Sequence, residues 1–334
     1  MKKALTLLLC TTLVVSMMTG CGKKEEAAKT GLAVISSISS SKDAGEEDGL
    51  AQVDSTIVAV LVSKDGKILD CKIDMAQTKV NFTAEGALVT DIATEFMTKQ
   101  ELGANYGMKA ASAIGKEWNE QADAIAAYVI GKTTDEVSGI AINEEGLASD
   151  ADLAASVTIH LGGFIAAITK AVANAQDLGA SNTDKLGLGV TTNIAKSTAA
   201  TAEAEGLAQA YSMYSVVTTD KDAKITSSYV DASQSNVNFS TVGVVTSDLT
   251  ATLQTKQELK DAYGMKAASA IGKEWYEQAN AFSTFVVGKT ADEVGGIAIT
   301  DEGIASDADL AASVSVHVGP FMAVVQKAAV NSAK

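Results

Sequence analysis

The side chains best suited to holding a ligand lie in a block of thirteen residues that occurs twice. The block YGMKAASAIGKEW spans residues 106–118 and recurs letter for letter at 263–275, an offset of 157 residues. Tyrosine and tryptophan rings offer flat apolar faces, and methionine adapts to irregular surfaces. The sequence therefore predicts a shallow aromatic pocket in each copy, lined by Tyr106, Met108, Trp118, Tyr263, Met265 and Trp275.

Packing is the alternative role for the same block. Apolar residues recur at spacings of three and four from 108 to 129, which predicts one helix with an apolar stripe against a sheet. Lys116 and Glu117 are then expected on the solvated face of that helix. Gly115 costs about 1 kcal/mol inside a helix, which indicates either close packing or room for a flat ligand.

No recognisable catalytic set accompanies the block. The two histidines, His160 and His317, lack a nearby cysteine, a serine or cysteine nucleophile motif and any acid at a fixed ligand spacing. Acids such as Asp150 and Asp307 fit helix starts and not a calcium loop. The sequence thus predicts no catalytic residue and no metal site, and it favours a protein that is not an enzyme.

The N-terminus carries the signals of an exported protein. Lys2 and Lys3 precede an apolar run at 4–15, and residues 18–21 read MTGC. This tetrapeptide resembles the lipobox of bacterial lipoproteins. The resemblance implies a signal peptide at 1–20, acyl chains such as palmitate on Cys21, and a lipid anchor on the extracytoplasmic face of the bacterial cell membrane. An ordinary secretory signal with an incidental cysteine is the alternative.

The composition limits the classes of partner that the chain can bind. The formal net charge is −15, and every basic residue is lysine. Arginine provides the planar fork that binds phosphate and carboxylate through two hydrogen bonds, so an acidic chain without it is unsuited to nucleic acid. The expected partners are the lipid bilayer, through the acylated N-terminus, and an unknown small molecule or surface protein. After Cys21 the only thiol is Cys71, which is predicted to be a packing residue.

The duplication predicts two copies of one α+β module, each a small antiparallel sheet with helices. A tether at 21–30 precedes repeat module 1 at 31–176, and a linker at 177–186 leads to repeat module 2 at 187–334. Each module opens with a short strand, at 32–38 or 188–194. Alternating runs at 55–62 and 67–74 flank Asp65-Gly66, which is a hairpin signal.

Helices follow the hairpin in each copy. Thr98 and Glu101 form a capping-box pattern, and Thr133 with Glu136 forms another. Residues 156–160 alternate like a strand, and a last helix is predicted from about 163 to 175. Pro320 marks the start of the matching helix in the second copy, because proline suits the first turn and breaks an interior.

One family resemblance follows from the hairpin IVAVLVSKDGKILDCKI at 57–73, a polar stretch, a Tyr-Gly pair and a helix. This arrangement resembles the FMN-binding domain family, whose members include extracytoplasmic lipoproteins and parts of electron-transfer complexes. In that family the flavin phosphate is esterified to a threonine in a Ser/Thr-Gly-Ala-Thr motif. The chain departs from that pattern, since Val137-Ser138-Gly139-Ile140-Ala141 lacks the acceptor threonine. It also resembles two-repeat lipoproteins of Gram-positive bacteria.

Two hypotheses of function follow. The first is a lipid-anchored extracytoplasmic protein whose paired modules bind a ligand or a protein partner. The second is an electron-transfer lipoprotein with FMN held non-covalently against Tyr106, Trp118 and their counterparts. FMN is the candidate cofactor of the second hypothesis alone. A yellow absorbance spectrum of the native protein would distinguish them.

Overall fold

The computed structural model describes residues 25–334. The predicted signal peptide (1–20), the predicted lipidation site Cys21 and the first residues of the predicted tether lie outside the described residues. Within residues 25–334, no helix combines the length and apolar character needed to cross a membrane. The lipid anchor stays a prediction from the sequence.

Two antiparallel sheets of three strands, one from each copy, form the centre of the molecule. In both sheets the strands lie side by side in sequence order. Helices accompany each sheet, so the predicted α+β fold of two tandem copies is confirmed. The strands are β1 (Lys29–Ser37), β2 (Gly49–Val62), β3 (Ile68–Phe82), β4 (Lys185–Asn193), β5 (Gly206–Thr219) and β6 (Ile225–Phe239).

The hairpin strands are longer than the sequence predicts. The predicted strands at 55–62 and 67–74 are only the halves of β2 and β3 nearest the turn. The remaining halves contain buried polar side chains, such as Gln52 and Thr78, which hide the alternation of a strand. The turn places Gly66 at φ +80°, and the second copy places Ala223 at φ +58° in the same left-handed region.

Ten α-helices of 4 to 13 residues occur among the described residues. Thr98 and Thr133 accept hydrogen bonds from Glu101 and Glu136, so both predicted capping boxes are confirmed. The helices are α1 (Lys99–Leu102), α2 (Trp118–Tyr128), α3 (Thr134–Ser138), α4 (Ala151–Ala154), α5 (Gly162–Ala173), α6 (Lys256–Leu259), α7 (Trp275–Phe285), α8 (Ala291–Gly295), α9 (Ala308–Ala311) and α10 (Gly319–Asn331).

The helix predicted across 108–129 is wrong in its first half. Residues 107–117 form turns, and α2 begins only at Trp118. Gly107 and Gly115 have φ values of +76° and +62°, a left-handed conformation that interrupts a right-handed helix. The spacing of Met108 and Trp118 imitated a helical stripe because Met108, from the folded loop, and Trp118, from the start of α2, pack on the same core.

A second correction concerns residues 156–160, which form a turn and irregular chain and not a strand. The helix after it is confirmed, since α5 and α10 begin at Gly162 and Gly319. Pro320 lies in the first turn of α10. The backbone N–H groups of the first turn have no acceptor within the helix, so a proline there removes no hydrogen bond. For this reason the sequence located this helix start well.

The two sheets pack face to face, and the helices of each copy cover the outer face of their own sheet. Trp118 and Phe164 belong to the core between the first sheet and its helices. Trp275 and Phe321 belong to the matching core of the second copy. Two further apolar clusters join sheet to sheet. There the rings of Phe82 and Phe239 stack with centroids 4.1 Å apart.

Strand β2 is buried on both faces. Val58 and Val60 pack toward the helices, while Ile57 and Leu61 pack toward the second sheet. All four are at most 1% exposed. This double burial explains the continuous apolar run at 57–62, because a strand with one solvated face would alternate with polar residues.

The copies also exchange ion pairs. Lys170 of α5 lies 2.5 Å from Glu258 of α6, and Lys327 of α10 lies 2.6 Å from Glu101 of α1. Each residue is 157 positions from its counterpart, so the exchange has approximate two-fold symmetry. All four side chains are about a third exposed, which limits the stabilisation from each pair. The module ranges 31–176 and 187–334 stay a prediction.

Candidate functional site

Lys256 is the centre of the candidate site, because three aromatic rings of the second copy surround its ammonium group. Nζ lies 4.6 Å from the ring centroid of Tyr211, 4.5 Å from that of Tyr263 and 5.1 Å from that of Trp275. It also donates a hydrogen bond of 3.2 Å to the Tyr211 hydroxyl. These are cation–π distances. Lys256 is only 5% exposed, so the rings replace much of its hydration.

Several elements meet at this cluster. Tyr211 lies in β5, and Trp275 is the first residue of α7. Tyr263 ends a 3₁₀ turn (Lys260–Tyr263) directly after α6. The Thr255 side chain caps α6, so that helix begins at Lys256. This start places the lysine side chain over the second sheet and not in solvent.

A cavity of about 620 Å³ adjoins the Lys256 cluster. We call it the aromatic pocket. Its walls combine aromatic, apolar and amide side chains, a composition typical of small-molecule sites. Three of the six sequence-predicted pocket residues, Tyr263, Met265 and Trp275, line it together. The remaining lining residues are Asn193, Ala195, Lys196, Gln209, Tyr211, Gln234, Lys256, Ser315, Val316, His317, Pro320 and Phe321.

Glu274 holds the loop before α7, which carries Met265 of the aromatic pocket. Its carboxylate accepts hydrogen bonds from the backbone N–H groups of Met265, at 2.8 Å, and Lys266, at 2.9 Å. Glu274 is 3% exposed, and Glu117 in the first copy accepts from Met108 in the same way. The expectation that Glu117 is solvated is therefore wrong. A glutamate just before a helix satisfies backbone donors that the turns leave free.

Gln278 joins two walls of the pocket. It is fully buried, and its amide nitrogen donates to the Ser269 hydroxyl and the Lys273 carbonyl, both at 3.1 Å. Its amide oxygen accepts from the N–H groups of Ser315 and Val316, at 2.8 and 3.2 Å. The loop before α7 and the chain before α10 are thus fixed to one another, so the pocket is preformed.

The electrostatics of the pocket follow from burial. Burial lowers the pKa of Lys256 to about 8, although Asp231 acts in the opposite direction. Burial also raises the pKa of Tyr211 to about 12 and raises the pKa of Tyr263. Near neutral pH the lysine is therefore charged and the phenols are neutral. Among residues 25–334 no carboxylate forms an ion pair with Lys256. The site offers a buried cation that forms no ion pair with a carboxylate in the described part of the chain.

The first copy repeats only part of this arrangement. Lys99 lies 4.5 Å from the Tyr106 ring centroid and 5.4 Å from that of Trp118. Met108 packs on the same core. The position of Tyr211 is taken by Asp54, whose carboxylate accepts from the side-chain amides of Gln52 and Gln77 at 2.6 and 2.9 Å.

The predicted set of six residues thus forms two separate groups, on opposite outer sides of the paired sheets. The third ring is present only in the second copy.

Sequence reasoning missed Lys256 and Tyr211. Lysine next to a capping threonine normally suggests a solvated helix start, and no local pattern marks one that turns inward. Tyr211 lies in a half of β5 where Gln209 and Ser212 obscure the strand alternation. The sequence signal that could have located this site is the difference between Asp54 and Tyr211 at equivalent positions of otherwise similar copies.

The other chemical candidates have mainly structural positions. His317 borders the aromatic pocket, and His160 packs beside Gly146 in the first copy. Asp150 and Asp307 cap α4 and α9, as predicted for helix starts. Cys71 is buried, and burial raises the pKa of its thiol. Residues 25–334 contain no group of three or more histidines, cysteines or acids arranged to hold a metal ion.

Comparison with known proteins gives a limited result. No protein-family model matches the chain, and no solved structure matches it. One stretch of 41 residues is 54% identical to a "Chlorophenol reductase" of Desulfitobacterium hafniense. The match covers 12% of this chain and 12% of that protein. The similarity is confined to a short segment and places the chain in no family.

Proposed function

We propose that this protein is an exported, lipid-anchored binding protein whose second copy binds a small flat anion in the aromatic pocket. The observation that carries this proposal is Lys256, a buried ammonium group that is surrounded by three rings and forms no ion pair with a carboxylate among residues 25–334. A desolvated cation of this kind favours a ligand that supplies the negative charge.

The walls define the shape and chemistry of the ligand. Tyr263 and Trp275 present ring surfaces, and Met265 and Phe321 close the apolar part of the pocket. The volume of about 620 Å³ lies within the range of small-molecule sites. An aromatic carboxylate or phenolate satisfies both requirements, since its ring packs on the walls and its oxygen meets Lys256. The name of the short match makes a chlorinated phenolate a reasonable first probe.

Titration of the full-length chain with benzoate and a chlorophenolate, followed by calorimetry and tryptophan fluorescence, tests the site. Lys256→Met should weaken binding at least about tenfold, since it removes a charge-assisted contact. Tyr211→Asp, which introduces the first-copy residue, should weaken it as well. The matched variant Lys99→Met should bind like the wild type. Equal binding by Lys256→Met and wild type would reject the assignment.

FMN held non-covalently is the second candidate. The feature that favours it is the combination of flat rings and lysine side chains, which suits an isoalloxazine ring and a phosphate. Flavin gives a yellow absorbance and a quenched emission when it stacks on tryptophan. A native sample that is colourless and stays so after incubation with FMN and gel filtration would exclude this candidate.

The anchor is tested separately at Cys21. Its support is the MTGC sequence after an apolar run with a basic start. Acylation of this cysteine would hold the chain on the membrane, because two or more acyl chains bind far more firmly than one. The variant Cys21→Ala should appear in the medium or the soluble fraction, and its intact mass should lack the acyl chains. A product still bound to the membrane would contradict the assignment.

A further inference from the structure

A second cavity, of about 580 Å³, lies between the two copies, and neither hypothesis of function uses it. We call it the seam cavity. It opens where β3 and α2 of the first copy meet β4 and α10 of the second. Its walls combine aliphatic and charged side chains. The lining residues include Lys72, Asp74, Glu101, Ala127, Leu188 and Val190.

The two-fold relation of the copies creates a matching seam between β6 and β1. Lys72 of β3 pairs with Ala59, and Tyr229 of β6 pairs with Val216. Ala59 and Val216 are 157 residues apart, and so are Lys72 and Tyr229. Tyr229 therefore occupies the position of Lys72 in the same strand register. One seam therefore carries a lysine and the other a tyrosine at an identical point of the fold.

Tyr229 fills its seam. Its ring packs on the apolar cluster between the sheets, which includes Leu32 and Val34. Burial raises the pKa of its phenol, with Asp231 and Glu258 adding to the shift and a hydrogen bond from Gln176 opposing it. The hydroxyl is thus held among polar groups at the end of an apolar slot.

The seam cavity repeats four of these wall positions without the ring. Leu188 and Val190 of β4 occupy the positions that Leu32 and Val34 occupy in β1, because β4 and β1 have the same register against the next strand of their sheets. Asp74 and Glu101 correspond to Asp231 and Glu258. The aliphatic and acidic parts of the slot are therefore present in both seams, and at the seam of β3 and β4 the described residues supply no ring to fill it.

We infer that the seam cavity binds a small molecule carrying a phenol ring, in the place that Tyr229 takes in the other seam. The ring packs between the aliphatic residues of β4 and the outer side of α2. Its hydroxyl meets the polar end of the slot, where Lys72 and Lys334 add donors. The inference is independent of the aromatic pocket, which lies on the outer side of the second sheet.

The probe for this site is p-cresol, which is the tyrosine side chain as a free molecule. Methyl-resolved NMR of the full-length chain locates it. In the wild type, p-cresol should shift the methyl signals of Leu188 and Val190. Lys72→Tyr supplies the ring from the chain itself and should abolish those shifts. Tyr229→Ala opens the other seam and should add shifts at Leu32 and Val34.

Ala127→Phe provides an independent block if Lys72→Tyr fails to fold. Ala127 is exposed on α2 and lines the cavity, so a ring there narrows the slot without disturbing the core. Absent shifts at Leu188 and Val190 in the wild type, or shifts that persist in both blocked variants, overturn the inference. The Met265 methyl reports the aromatic pocket separately, so Lys256→Met leaves the seam signals unchanged whatever the fate of the proposed function.

Discussion

The two copies share every strand and nearly every helix, yet they leave different cavities open. At one position the first copy has Asp54 and the second has Tyr211, which adds the third ring around Lys256. At another the first copy has Lys72 and the second has Tyr229, which closes the seam on its side. The ring of Tyr211 thus adds a wall to one pocket, whereas the ring of Tyr229 fills another.

This difference shows how duplication separates stability from function. The features that both copies keep are those that hold the fold, namely the capping threonines, the buried glutamates before α2 and α7, and the ion pairs between copies. The exchanges of Asp54 for Tyr211 and of Lys72 for Tyr229 lie at cavity walls. Variants that exchange residues between equivalent positions are therefore the most direct way to test the comparison.

The largest expected effect concerns the buried aspartates of β3 and β6. Burial raises the pKa of Asp231 to about 7 and that of Asp74 to about 6, against an ordinary value of 3.8. The folded state keeps protons that the unfolded state releases, so the stability that these two aspartates contribute is fully present below about pH 4 and is lost as the pH rises to 7. The fall attributable to Asp231 is on the order of 4 kcal/mol.

Denaturant unfolding of Asp231→Asn and Asp74→Asn between pH 4 and 7 measures these contributions. The Asp231→Asn variant should lose more of the wild-type pH dependence than Asp74→Asn does. Equal slopes in the two variants would show that the buried aspartates of the two copies do not differ.

The next effect concerns Lys256, whose pKa falls from 10.5 to about 8. Between these values the unfolded state binds more protons than the folded state, so the free energy of unfolding rises with pH. The rise is about 3 kcal/mol and should be absent in Lys256→Met. The control Lys99→Met should retain the wild-type rise. A flat wild-type profile from pH 8 to 10.5 would contradict the buried cation.

A smaller effect distinguishes the contact of α10 with β4 from that of α5 with β1. A Cβ at Gly189 would overlap the backbone of Val324 and Ala328, whereas the first copy has Ala33 at that position. The helix therefore lies closer to its strand in the second copy. Gly189→Ala should lower the free energy of unfolding by about 1–3 kcal/mol through overpacking. Gly45→Ala, with open space around the added methyl, should change it little.

The smallest effect concerns the hairpin turns. Gly66 and Ala223 both adopt positive φ, and an alanine in that region is strained by roughly 1 kcal/mol. Ala223→Gly should stabilise the protein by up to about 1 kcal/mol, and Gly66→Ala should destabilise it by a similar amount. Thermal unfolding of the two variants checks the signs. A loss of stability in Ala223→Gly would show that the second turn tolerates its alanine without strain.

The sequence alone determined the duplication, the antiparallel sheets, the hairpin turns and the helix starts at Thr98, Thr133 and Pro320. These features depend on contacts between residues close in the chain, such as a capping threonine with a glutamate three positions on. Local rules therefore suffice for them. The candidate rings Tyr263 and Trp275 were also found from residue type, because aromatic side chains are the usual lining of a pocket.

Only the tertiary structure decided where the repeated block folds and what it surrounds. Residues 107–117 form a loop because Glu117 accepts a hydrogen bond from the backbone N–H of Met108 across it, although the apolar spacing of the segment imitates a helix. Lys256 turns inward because rings from β5 and α7 meet above it. Both depend on residues distant in sequence, and so does the packing of sheet on sheet that creates the seam cavity.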